Sequence, residues 1–313
     1  MPEPVAISPD DPVFDVADSD PTVDPAEDFY HWVNGGWIEA NPVPPEYGAW
    51  GAAQEVHERN QALLLDILEH VAAADVDPSS IEGKVATYYR SGMDTDTIEA
   101  LGTTPIADWL DRIDAITDLE DVAAAVADLH LRGVSVLFGF GVMPDFEDAS
   151  ANLLYLGQSG LGLPDRDYYL RDDERSTALL AAYRTHVANM ATLLGDADPE
   201  TTADRILAIE TAIAELSYTN VQMRDVDLTT NKYAMEDLDG LMPGFGLARH
   251  LVAIGAGSER EVNVDNEGFY PGIDALLAST PIEDWQRYLR WHLVRSVASS
   301  LPERFESESF DFY

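Results

Sequence analysis

The chain has no cysteine and, in 313 residues, only two lysines, Lys84 and Lys232. Without thiols there is no disulfide framework, no zinc ribbon and no thiol nucleophile. Long hydrophobic runs are also missing: no stretch approaches the ~18 apolar residues of a membrane-spanning helix. Met1 to Asp11 has no basic region, and no apolar segment follows it, so no targeting signal is expected and the chain reads as cytoplasmic. Positive charge is scarce. Lys plus Arg total 18 against 58 Asp plus Glu, a formal charge of -40, and neither cation precedes Arg59. Nucleic acid and anionic membrane both require a cationic surface, so neither is an expected partner.

What is present suits a folded protein in strong brine. The chain is 46% hydrophobic, enough for a substantial core, and its length fits one large domain or two modest ones. The acid is spread along the whole chain. In dilute buffer such a surface repels itself, whereas at molar salt the Debye length falls to about 3 Å and the repulsion is screened. A high-salt environment is therefore expected.

Residues 1–23 are rich in Pro and Asp with little hydrophobic periodicity, and read as an acidic disordered tail; residues 24–313 read as one helical domain. Val56, Leu63, Leu64, Ile67, Leu68 and Val71 recur at helical spacing, as do Ile206, Ile209, Ile213 and Leu216. Ser79 to Glu82 and Thr117 to Glu120 have the form of capping boxes. Asp198-Pro199 and Thr280-Pro281-Ile282-Glu283 mark two further helix starts. One region differs. Val134 to Val142 and Asn152 to Leu156 are short, β-prone and separated by a polar insert, so a hairpin is expected over about residues 134–157. The fold class is mainly α, a multi-helix domain with this small β-hairpin.

Recognisable chemistry is sparse. His57-Glu58-Arg59-Asn60 would open a zinc-binding His-Glu-x-x-His turn, but Gln61 stands where the second imidazole belongs. The remaining histidines (His31, His70, His130, His186, His250 and His292) are isolated in sequence and read as surface or packing residues. Gly139-Phe140-Gly141 and Gly244-Phe245-Gly246 lack the third glycine of a dinucleotide fingerprint. Gly157-Gln158-Ser159-Gly160 is not a nucleophile elbow. Asp225, Asp227, Thr229, Asn231 and Glu236 fall at calcium-loop offsets, but Thr230 occupies the position where the turn needs glycine. No catalytic and no metal-binding residue is assigned, and substrate-binding residues are unknown.

The order of motifs says more than any one of them. Asp24-Pro25, Asp28-Phe29-Tyr30 and Val33-Asn34-Gly35-Gly36-Trp37 come first, then Pro44, Trp50-Gly51 and Glu55. Lys84-Val85, Tyr88-Tyr89 and Ser91-Gly92-Met93-Asp94 follow. Gln158-Ser159-Gly160-Leu161-Gly162-Leu163-Pro164-Asp165-Arg166-Asp167-Tyr168-Tyr169-Leu170 is the most specific run. Ile209-Glu210 through Ala214, Met223-Arg224-Asp225, Trp285, Tyr288-Leu289, Trp291, Leu301 and Phe310-Asp311-Phe312-Tyr313 complete the series. Over residues 24–313 this series resembles the N-terminal, largely helical domain of the neprilysin-like zinc metallopeptidases, peptidase family M13.

The resemblance implies a zinc endopeptidase of short peptides, with the metal held elsewhere. In that family a His-Glu-x-x-His helix, a downstream Glu ligand and an Asn-Ala-Tyr strand lie in a C-terminal zinc domain, and none of these is found here. The resemblance therefore implies no cofactor in this chain, zinc in the C-terminal domain, and that domain as partner in the same or a separate chain. Alone, the chain is expected to be inactive. Some members place an arginine between the proline and Trp-Gly; Glu46-Tyr47-Gly48-Ala49 has none. The cysteine that secreted members carry after Asp-Pro is Ala26. Locally, Gly35-Gly36-Trp37 and Leu163-Pro164-Asp165 read as turns, with Arg166 placed to pair with a nearby carboxylate such as Asp167, and Trp285 and Trp291 as core or domain-interface residues. The alternatives are a non-catalytic peptide-binding or regulatory helical module, and a truncated gene product. The substrate-gating half predicts a large apolar face left uncovered, whereas a free-standing module predicts that face recoated with Asp and Glu.

Overall fold

A computed structural model of the chain describes residues 15–313 and divides them into two compact units, the first ending at Asp94 and the second spanning Thr95–Tyr313. Most of the expected acidic tail lies outside the described residues.

The first unit is helical: α1 (Phe29–Ala40), α2 (Ala52–Ala73) and α3 (Ile81–Met93). Asp28 caps α1 by accepting from His31 N, and Ser80 caps α3 by accepting from Gly83 N, one residue beyond the Ser79 expected from the sequence. Gly35-Gly36-Trp37 is not a turn; it lies within α1. The glycines serve close approach, because a Cβ on Gly36 would stand 2.5 Å from the carbonyl oxygen of Ala17. Val16–Asp18 crosses there as a short 3-10 turn, and Asp20 N donates to Trp32 O at 2.9 Å. The apolar stripe of α2 does form a helix, yet Val56, Leu63, Leu64 and Ile67 remain exposed. Among the described residues of this unit only Gly83 and Ala86 are buried.

The second unit holds the core. Its helices are α4 (Thr95–Leu101), α5 (Ala107–Asp114), α6 (Leu119–Leu131), α7 (Asp167–Leu170), α8 (Glu174–Leu193), α9 (Pro199–Leu216), α10 (Val226–Thr229), α11 (Leu247–Ala253), α12 (Phe269–Ser279), α13 (Ile282–Val297) and α14 (Glu303–Phe312). The Asp198-Pro199 start is in place, with Asp198 accepting from Thr201 N. At α6 the cap is Asp118, and Asp121 Oδ2 accepts from Thr117 N and Oγ1, so the box is shifted by one residue. Helix α13 presents Trp285, Tyr288, Leu289, Trp291 and Leu293 to the interior, against Ile206, Ile209 and Ile213 of α9 and Tyr183 and Val187 of α8.

The expected hairpin is β1 (Phe138–Pro144) and β2 (Asn152–Gln158), antiparallel with Phe140 opposite Leu156. Two further strands, β3 (Lys232–Ala234) and β4 (Glu261–Val264), extend it to a sheet of order β1-β2-β4-β3. Strands β2 and β4 run parallel with Leu154 opposite Val262; β3 is antiparallel to β4. The molecule is thus mainly α with a small β part.

Candidate functional site

The zinc-like fragment on α2 is not assembled into a site. His57 Nε2 is 3.5 Å from Gln61 Nε2, and Glu58 accepts from the Tyr47 hydroxyl. His31 is spent on Asp28 at 2.7 Å, next to the cap of α1. The calcium-like segment is dispersed as well: Asp225 caps α10, and Asn231 donates to Leu228 O and Val264 O. Among the described residues no group of three or more His, Asp or Glu is placed to hold a metal ion.

The densest buried polar cluster centres on Glu210 of α9, which is fully buried. Its carboxyl accepts from three side chains: Tyr169 Oη at 2.9 Å, Tyr183 Oη at 2.8 Å and His292 Nε2 at 3.0 Å. Both hydroxyl donors are themselves engaged. Tyr169 Oη accepts from Gly162 N and Leu163 N; Tyr183 Oη accepts from Trp291 Nε1. The loop is closed by the last residue, since Tyr313 Oη donates to Gly162 O at 3.1 Å and accepts from Arg295 Nε at 2.7 Å. Burial, reinforced by the Glu210 carboxyl, pushes both the Tyr169 and Tyr183 hydroxyls far above the usual phenol range. Burial likewise holds the His292 imidazole below its usual range, against the pull of Glu210. Hydroxyls buried in this way and mutually satisfied hold the surrounding elements in place. Gly162, Leu163 and Tyr169 of the long glycine-rich motif, Glu210, Trp291 and Tyr313 thus meet in one network.

Arg166 does not pair with Asp167. Asp167 takes Arg171 at 2.6 Å, one helical turn on, and Arg166 Nε is buried without a hydrogen-bond partner among the described residues. Trp285 and Trp291 are both core residues.

Two further groups were invisible in the sequence. Asp265, just past β4 and 8% exposed, accepts from Gln158 N at 3.0 Å through Oδ2, while Oδ1 has no partner among the described residues. Burial pushes its carboxyl up to about 6, despite the Gln158 N–H. His130 of α6 and His250 of α11 form a buried pair, Nδ1 to Nε2, at 3.0 Å. With His130 Nε2–H donating to Val136 O at 2.9 Å, His250 must supply the shared proton, which leaves its Nδ1 without a donor. Desolvation, with His130 adjacent, lowers His250 to about 3, and burial lowers His130 also. The partners are 120 positions apart in the chain, so no local signal could have joined them.

Comparison with known proteins is consistent across sequence and structure. A family model described as peptidase family M13 matches residues 25–313. Endothelin-converting enzyme 1 of Rattus norvegicus is 31% identical over 308 residues, covering 94% of this chain and 40% of the relative. The Homo sapiens enzyme is 32% identical, covering 94% of this chain and 39% of the relative. The crystal structure of the Mycobacterium tuberculosis zinc metalloprotease Zmp1 in complex with an inhibitor superimposes with a TM-score of 0.86 at 31% identity, covering 96% of this chain and 46% of that one. The chain therefore spans about two fifths of the length of the curated relatives it matches.

Proposed function

The chain belongs to peptidase family M13, and from that membership we propose that it is the substrate-gating part of a neprilysin-like zinc endopeptidase acting on short peptides. In this reading the zinc and its His-Glu-x-x-His helix belong to a C-terminal partner domain, in the same or a separate polypeptide. The described residues of this chain do not themselves fit the metal: Gln61 replaces an imidazole, and the buried histidines are committed to Glu210, Glu308, Val136 and one another. The contribution of this chain is physical. It supplies walls, excludes bulky substrates and keeps the reacting peptide in dry surroundings.

The observation that carries this reading is the uncovered apolar surface of the first unit. Val56, Leu63, Leu64 and Ile67 of α2 are exposed, as are Ile81, Tyr88 and Met93 of α3. Contiguous exposed apolar surface marks a place where another surface docks. A free-standing module in a chain this acidic would carry Asp or Glu at such positions. The test is recombination. The purified chain is mixed in molar KCl with a separately produced C-terminal zinc domain of a family M13 relative, and quenched-fluorescent short peptides report hydrolysis. Activity is expected only in the mixture, and a chelator should abolish it. Cleavage by the present chain alone would overturn this division of labour.

A further inference from the structure

Helices α5 and α6 and the turn that joins them line an open hollow of about 320 Å³, a volume within the range of small-ligand sites. Its α6 wall is a single helical face, Asp121, Ala124, Ala125 and Asp128, at spacings of three and four residues. The two alanines in the middle of that face make the room. Ile113 of α5, Ile116 of the turn and Leu129 of α6 supply an apolar floor, and all three are buried. The turn is pinned from α13, where Gln286 Nε2 donates to Asp114 O at 3.1 Å and to Ile116 O at 3.0 Å. The hollow is therefore formed in advance, which lowers the cost of filling it.

The two ends of this trough carry opposite charge. At one end Asp128 accepts from Arg132 Nη2 at 3.1 Å, and the Arg132 guanidinium also lies 4.4 Å from the centre of the Trp109 ring. Arg112 reaches the same carboxylate only at 3.4 Å, longer than a charge-assisted hydrogen bond, and its side chain is 64% exposed. Two guanidiniums share one carboxylate there, so Arg112 is a surplus cation. At the other end Asp121 Oδ2 accepts from Thr117 N at 2.9 Å and Thr117 Oγ1 at 2.8 Å, whereas Oδ1 has no partner among the described residues. Those two bonds hold the Asp121 carboxyl below its usual range and keep it ionised. Asp121 and Asp128 are two helical turns apart, about 10 Å along the axis. The helix dipoles do not disturb this polarity, because α5 and α6 run in opposite directions and their ends offset one another.

From this geometry we propose that the trough between α5 and α6 binds a free tripeptide with small apolar side chains, its ammonium on Asp121 and its carboxylate on Arg112. Length selects the ligand. An extended chain spans about 3.3–3.6 Å per residue, so three residues cover the ~10 Å between the charged ends. A dipeptide is too short to reach both, and a longer peptide carries one terminus past its partner. The apolar side chains lie on Ile113 and Ile116, while the peptide amides face the open side and stay hydrated. A charge pair in contact leaves no room for a counterion between its members, so molar salt weakens it less than it weakens long-range attraction. The inference does not depend on the zinc reading.

The test is isothermal titration calorimetry of the full chain in molar KCl with alanyl-leucyl-alanine. Two control peptides keep its shape and remove one charge each: the N-acetylated form and the C-terminal amide. The free peptide is expected to bind, and each control to bind about tenfold more weakly. In Arg112→Gln the acid and the amide should bind alike, while N-acetylation should still weaken binding. Ala124→Leu fills the trough from an exposed position with a good helix former, so it should abolish binding and leave the circular dichroism spectrum unchanged. Equal affinity for the three peptides, no binding at millimolar peptide, binding retained in a folded Ala124→Leu variant, or an acid–amide difference that survives Arg112→Gln would overturn the proposal. The peptide series on the parent chain decides the matter even where a variant fails to fold.

Discussion

Gly162 and Tyr183 approach so closely that no side chain fits between them: a Cβ on Gly162 would stand 1.7 Å from Tyr183 Oη. The hydroxyl cannot retreat, because it donates to Glu210 and accepts from Trp291 in a buried site. Gly162 is therefore required by packing. Gly162→Ala is expected to destabilise the second unit by about 3 kcal/mol, at the upper end for overpacking. Denaturant unfolding in molar salt measures it, and a change below about 0.5 kcal/mol would show that the network is looser than its distances state.

Tyr169→Phe removes one hydroxyl but strands two groups, Gly162 N and Leu163 N, while the Glu210 oxygen keeps the Tyr183 hydroxyl. Unsatisfied buried polar groups cost about 1–3 kcal/mol each, with partial relaxation, so a loss of about 3 kcal/mol is expected. Tyr233→Phe is the control. Its hydroxyl meets Glu267 in an exposed setting, and the loss there should stay below about 1 kcal/mol.

Asp265 gives a pH signature of unusual sign. Its carboxyl sits at about 6 in the fold against an ordinary 3.8, so the folded state holds the proton more tightly than the unfolded chain. This group costs the fold stability above about pH 6, and the deficit is recovered as pH falls toward 3.8. Asp265→Asn should raise the unfolding midpoint at pH 7.5, by on the order of 1 kcal/mol after allowing for the new amide donor. The gain should vanish near pH 4. A variant less stable than the parent at pH 7.5 would contradict the raised carboxyl.

The buried histidines act the other way. Burial lowers His130, His186, His250 and His292, and His250 falls to about 3 from an ordinary 6.5. Below pH 6.5 the unfolded chain takes up protons that these sites refuse, so stability is lost as pH falls, by up to about 1.4 kcal/mol per pH unit for each histidine. Four such groups outweigh Asp265, and net stability should decline from pH 7 to 5. His250→Gln should reduce that slope by about one proton; an unchanged slope would mean that His250 accepts its proton within the fold.

Salt is the remaining variable. Dilution from molar salt to ~0.1 M lengthens the Debye length from about 3 to 10 Å and restores repulsion among the acidic residues. Helicity is expected to fall, first in the first unit, where almost nothing is buried. Circular dichroism at 222 nm that stays flat through the dilution would remove the argument for brine.

Legibility followed range. The α9 stripe and the Asp198-Pro199 start were readable because they act within a turn or two of helix. The hairpin was readable from two β-prone runs close in sequence, but β3 and β4 were not: three and four residues long, they become strands only because β2 lies beside β4. Gly35-Gly36 looked like a turn. In the fold those glycines admit Ala17 and Asp20 against a continuous helix, which is a tertiary demand written in local residues.

By itself the sequence determined the helical class, the net charge, and the ordered motifs that place it in its family. Helix periodicity, caps and net charge depend on near neighbours or on composition alone, so they can be read without coordinates. Only the tertiary structure decided what those motifs do. A buried carboxyl needs donors in fixed positions, and for Glu210 they come from residues 169, 183 and 292, with Tyr313 closing the network. Nothing in the spacing of those residues announces the meeting, because burial and hydrogen-bond satisfaction are properties of the packed chain and not of any segment of it.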